Sequence, residues 1–126
     1  MQIAVAVVVH GSRVLVGRRA VDAVDAAGLD EFPGGKVEPG ESPPTAAARE
    51  CLEESGIAVR IDRLLDRSVG QSRGGPLEIL FFAAIPLAAQ PEPRPPFTWV
   101  PLTELPTLRF PPANGRVLAD LAQGGS

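Results

Sequence analysis

Residues 34–57 leave the chain little choice of local structure. Gly34-Gly35-Lys36 is a small-residue turn, and Ser42-Pro43-Pro44 comes after it with a serine N-cap and proline at the first helical position. Residues 45–55 contain no helix breaker, and Gly56 supplies a stop. On that helix Glu50 and Glu54 stand at i,i+4 and Glu50 and Glu53 at i,i+3, so three carboxylates share one face. Carboxylates that close repel one another and weaken the helix, whereas a divalent cation turns the repulsion into binding. Oxygen donors alone point to a hard ion, Mg2+ or Mn2+, and not to zinc. The plainer alternative is a solvated acidic face, partly neutralised by Arg49 to Glu53 at i,i+4.

The order Gly35, Glu41, Arg49, Glu50, Glu53, Glu54, Gly56 resembles the signature of the Nudix hydrolases, G-x5-E-x7-R-E-U-x-E-E-x-G-U, where U is bulky and aliphatic. Every fixed position of residues 35–57 matches; the U positions hold Ile57 and Cys51, the latter a loose fit. At roughly one in fifteen for each fixed residue, seven matches arise by chance at about one in 10^8 starting positions. The resemblance implies an α/β/α sandwich, with a mixed β-sheet between helices, and metal-assisted hydrolysis of a phosphoanhydride. It implies a metal held by Glu50, Glu53 and Glu54 with the backbone carbonyl of Gly34. Glu50 would be the general base, Arg49 would orient it and Glu41 would anchor Arg49; spacing alone does not choose among the carboxylates. A further acidic ligand is implied from a loop after the long strand, with Glu92 the nearest candidate and Glu78 the next.

Lys36 is the single lysine beside eleven arginines. A lysine kept in a glycine turn against that bias suggests a phosphate contact, the alternative being an ordinary surface lysine. The 126 residues fit one domain, 1–126, with 44% hydrophobic and 21% charged residues. No apolar run reaches membrane-spanning length, and the start lacks the basic residues and cleavage site of a signal peptide. One cysteine excludes an internal disulfide framework, so a cytoplasmic setting is expected, with Cys51 as a small core residue. A net charge of −3 argues against long nucleic acid as a partner, while a single nucleotide neutralised by metal stays compatible. Monomer and homodimer are both open.

Hydrophobic patterning predicts a buried central strand over 2–9, a hairpin at Gly11-Ser12 into 13–17, and a loop over 20–30. Next come a half-buried strand over 57–65, a turn-rich connection over 69–75 and a long apolar strand over 77–87. Residues 88–96, with four prolines, read as a loop, 97–100 as a short strand, and 114–122 as an amphipathic helix with Val117, Leu118 and Leu121 on one stripe.

The flanks bear on the substrate. Phe32-Pro33-Gly34-Gly35-Lys36, Trp99-Val100-Pro101-Leu102 and Phe110-Pro111-Pro112-Ala113-Asn114 look like the MutT branch, which acts on oxidised guanine nucleotides such as 8-oxo-dGTP. A carboxamide offers a donor and an acceptor side by side and can read a purine edge. Asn114 therefore suits base contact, and equally suits the N-cap of the last helix. Phe32 reads as a pocket wall or as core. By the same resemblance Arg19, with Arg18 adjacent, is the nucleotide-contacting arginine; His10 reads as a turn residue. Hydrolysis of CTP, dCTP or 5-methyl-dCTP is the nearest rival; ADP-ribose fits less well, since Ser72 and Pro76 do not match the proline expected there. A non-catalytic nucleotide-binding Nudix domain is the alternative of another class, although the signature glutamates are all present.

Overall fold

The computed structural model describes residues 1–18 and 29–123, and the expected contact of Arg19 lies outside them. The chain runs through β1 (Gln2–His10), β2 (Arg13–Arg18), β3 (Asp30–Glu31), β4 (Gly34–Lys36), α1 (Pro43–Ser55), β5 (Val59–Ser72), β6 (Gly75–Pro86), β7 (Phe97–Pro101) and α2 (Gly115–Ala122). Two 3-10 turns, Leu102–Thr107 and Pro112–Asn114, precede α2.

The central-strand expectation holds, because β1 is apolar on both faces. Along one edge it pairs in parallel with β6; along the other it pairs antiparallel with β4 through Ile3–Val5 and with β2 through Val9–His10. Strand β2 then leaves β1 and pairs with β7 and β3. Alternation along β1 separates two cores. Ala4, Ala6 and Val8 meet Ala46, Ala47 and Cys51 of α1, while Val5 and Val7 meet Phe81, Leu105, Val117 and Leu121. Helices thus cover both faces of a mixed sheet.

The alanines set a distance. With methyl groups on both surfaces, α1 lies close to β1, which brings its polar flank to the β4 turn. Cys51 is fully buried, as its packing role predicts, and burial pushes its thiol up to about 11.

The connection expected over 69–75 is instead mostly strand. β5 runs to Ser72, pairing Val69 with Glu78 and Gly70 with Leu77, and only Arg73-Gly74 turns. Weak local propensity there is overridden by the backbone ladder that β6 offers. The last helix also starts one residue later than expected, since Asn114 closes a 3-10 turn.

Replacing Ala47 by leucine would drive extra methyls into the α1–β1 seam. The expected loss is about 1–3 kcal/mol, read from the denaturant midpoint; an unchanged midpoint would mean that the seam has room to spare.

Candidate active site

The caps of α1 form as its sequence predicts. Ser42 Oγ accepts from the Thr45 N–H, Pro43 and Pro44 open the first turn, and Gly56 takes φ 78°, its N–H donating to the Leu52 carbonyl at 3.0 Å. Sequence reading missed Arg94. From the proline-rich loop its Nη2 donates to the Glu53 carbonyl at 2.7 Å, placing a cation at the negative end of the helix.

Between those caps Arg49 is a hub. Its Nε and Nη2 form a two-pronged bond to Glu41, at 2.7 and 3.0 Å. Nη1 donates to Glu50 Oε1 at 2.9 Å and to both oxygens of Glu53 at 3.3 Å. Nη2 also donates to the Lys36 carbonyl at 3.1 Å, which ties the helix to β4. The Arg49 pKa rises, chiefly through Glu41. In turn the guanidinium, and then the Glu38 N–H, hold the Glu41 carboxyl below its ordinary value.

Glu54 Oε1 accepts from the Gly34 N–H at 3.0 Å, so this residue pair also lies together. The two glycines are needed for close approach. A Cβ at Gly34 would stand 2.6 Å from the Ala4 carbonyl oxygen, and one at Gly35 would stand 2.4 Å from the Glu50 carboxyl carbon. Lys36 sits at the exposed end of β4.

Glu50 and Glu53 share the Arg49 Nη1, while Glu54 is held by the Gly34 N–H; among the described residues no three His, Cys, Asp or Glu side chains stand as a metal-holding group. The donor set still fits a hard divalent cation: it offers carboxylate oxygens, and the nearby thiol of Cys51 is buried and protonated at neutral pH.

Glu92 does not join this group. It lines a separate cavity with His10, Arg13 and Trp99, at the opposite end of β1 from the strand pair that carries Gly34. Trp99 Nε1 donates to the Pro91 carbonyl at 3.0 Å and holds the loop there. Glu78 is engaged by Gln2 at 2.6 Å and by Arg67, which together keep its carboxyl below the usual range. His10 stacks obliquely on Trp99 at 5.7 Å and remains a strand-end residue.

On the other face of β1 a cavity of about 190 Å³ opens beside Gly34, lined by Ile3, Val5, Phe32, Ile79, Phe81 and Asn114. Asn114 is 8% exposed and its side chain makes no capping bond to α2. Phe32 is both core and wall: it is buried, and its ring packs against Phe110 at 4.7 Å. Glu31 also borders this cavity and was missed; its place just ahead of the Phe32-Pro33-Gly34 turn was the available signal.

The NUDIX domain model matches residues 1–121. This chain belongs to the Nudix hydrolase family. It is 35% identical to the 8-oxo-dGTP diphosphatase of Escherichia coli K12 over 124 residues, covering 96% of this chain and 95% of that protein. It is 39% identical to the CTP pyrophosphohydrolase of the same organism over 61 residues, 48% of this chain and 44% of that one. Among solved structures, MutT studied from Aliivibrio salmonicida and Vibrio cholerae aligns with a TM-score of 0.75 and 28% identity, over 97% of this Nudix chain and 95% of the other.

Because the folded state holds the Glu41 carboxyl below its unfolded value, it contributes stability above the ordinary carboxylate range. That contribution disappears as pH falls through the folded-state pKa. Glu41→Gln should therefore flatten the acid limb of a stability–pH curve; an unaltered limb would mean that the Arg49 pair does not feed into folding.

Proposed function

We propose that the protein hydrolyses a nucleoside triphosphate to the monophosphate and pyrophosphate, with 8-oxo-dGTP or a related oxidised guanine nucleotide as the preferred substrate. The observation that carries the base assignment is Asn114: a buried carboxamide at a small cavity beside the signature turn, with no capping bond to occupy it. Oxidation at C8 of guanine gives N7 a proton. A carboxamide oxygen opposite N7 accepts from the oxidised base, whereas plain guanine would set two acceptors against each other.

Glu50, Glu53 and Glu54, with the backbone of Gly34, would hold Mg2+ or Mn2+. Bound there, the cation would neutralise phosphate oxygens and acidify water. Glu50 accepts the proton of the attacking water, and Arg49, bonded to it through Nη1, fixes which oxygen faces the substrate. Glu41 holds Arg49 by two bonds and so sets the angle of that guanidinium. Lys36 offsets charge that grows on the phosphate. Ile3, Val5, Phe32 and Phe81 give the pocket an apolar lining that excludes water from the base. In this reading Arg19 contacts the nucleotide. The cytosine alternative draws support from the 39% identity to a CTP pyrophosphohydrolase, although over less than half of this chain.

Glu50→Gln and Glu54→Gln should fold normally and lose about a hundredfold or more in kcat. Wild-type turnover in either would remove that residue from the site. Pyrophosphate release should then be measured with Mg2+ from 8-oxo-dGTP, dGTP, CTP, dCTP, 5-methyl-dCTP and ADP-ribose. The highest kcat/KM is expected for 8-oxo-dGTP, and Asn114→Ala should lower that preference by about tenfold or more. A cytosine preference would keep the hydrolysis and overturn the role given to Asn114, while no turnover by a folded chain would favour a binding module.

A further inference from the structure

Among the described residues Asp30 is the one charged side chain in the buried interior. No sequence signal singles it out, and its partners come from separate places in the chain. Oδ1 accepts from the Arg18 Nε at 2.7 Å, and Oδ2 accepts from the Arg109 N–H at 2.9 Å. The Asp30 N–H returns a bond to the Arg109 carbonyl at 2.9 Å. Arg109 is thus held at both its backbone groups by one residue, as in a strand pair where a carboxylate oxygen replaces one carbonyl.

The segment after Arg109 is short and stiff. Phe110 packs on Phe32, Pro111 and Pro112 restrict the backbone, and the Asn114 N–H closes the 3-10 turn onto the Pro111 carbonyl at 3.0 Å. Little freedom separates the clamp from the Asn114 side chain. Asp30 also leads directly into Glu31 and Phe32, which line the same cavity. Two stretches of the cavity lining, 31–32 and 111–114, therefore adjoin Asp30, one through the backbone and the other through its bonds to Arg109.

We propose that Asp30 is a positioning residue for base selection: it pins the Arg109–Asn114 segment to β3 and so sets where the Asn114 carboxamide meets the base. The proposal rests on the reading of Asn114 as the base contact. Chemistry explains why a carboxylate is required. Both groups that reach Asp30 are donors, and an asparagine could accept from one while turning its own NH2 on the other. The isosteric Asp30→Asn would keep the volume and break one of the two bonds; Asp30→Ala, measured beside it, removes both acceptors, so an asparagine oxygen left on the Arg109 N–H cannot hide the clamp.

The test compares wild type, Asp30→Asn, Asn114→Ala and the double variant, with kcat and KM for 8-oxo-dGTP and dGTP and a melting temperature for each. Asp30→Asn is expected to keep kcat for dGTP within about twofold. The ratio of the two kcat/KM values should fall about tenfold, through KM for the oxidised base, and the double variant should be no less selective than Asn114→Ala alone. An unchanged ratio with a lower melting temperature would reduce Asp30 to a stabilising residue. Losses that multiply in the double variant would likewise overturn the proposal. If Asp30→Asn does not fold, Asp30→Glu serves: it keeps charge and acceptors but moves them by a methylene, and should shift selectivity in the same direction. Should wild type prefer another base, the oxidised-guanine reading and the role given to Asn114 both fall, and the clamp proposal falls with them. With 8-oxo-dGTP preferred by wild type, an unmoved ratio in the Asp30 variants overturns the clamp alone.

Discussion

The guanidinium of Arg49 joins pieces of chain that would otherwise have no reason to meet. It donates two bonds to the loop carboxylate of Glu41, lies against Glu50 and Glu53 of its own helix, and reaches the Lys36 carbonyl on β4. Without it, neighbouring carboxylates on one helical face would repel one another and the β4 turn would lose a tether to α1. The Gly34 N–H performs the corresponding task for Glu54. Charge balance and backbone tethering are here the same set of bonds.

This arrangement depends on close packing behind it. Small side chains at Ala4, Ala6, Ala46 and Ala47 let α1 lie near the sheet, and Gly35 lets the Glu50 carboxylate rest on the turn without a Cβ between them. Larger residues at these places would disturb the polar cluster without touching any of its charges. Burial of the thin seam is modest per residue; what it contributes is register.

Features set by neighbours along the chain were legible before the structure. Ser42, Pro43, Pro44 and Gly56 fix the ends of α1 locally, and the spacing of Arg49, Glu50, Glu53 and Glu54 fixes their common face. The apolar run of β1 announced a strand buried on both sides. Other features depend on partners that sequence order hides. Strand character at Gly70, Gln71 and Ser72 comes from the β6 backbone, not from their own preferences. Asp30 finds Arg109 at a separation of 79 residues, which no period reveals. Glu92 was placed by counting along a loop, and loops carry no period; a tryptophan bond to Pro91 decides where that loop lies. The Asn114 ambiguity is eased by a missing bond, since its side chain leaves the helix cap unfilled.

The alternation of β1 has an evolutionary corollary. Ala4 and Ala6 face the helix that carries the glutamates, while Ile3 and Val5 face the cavity that holds Asn114. One strand is therefore a partition wall, with the seat of the glutamate-bearing helix on one side and the cavity lining on the other. Changes at odd-numbered positions of β1 can reshape the cavity while even-numbered positions keep α1 seated against the sheet.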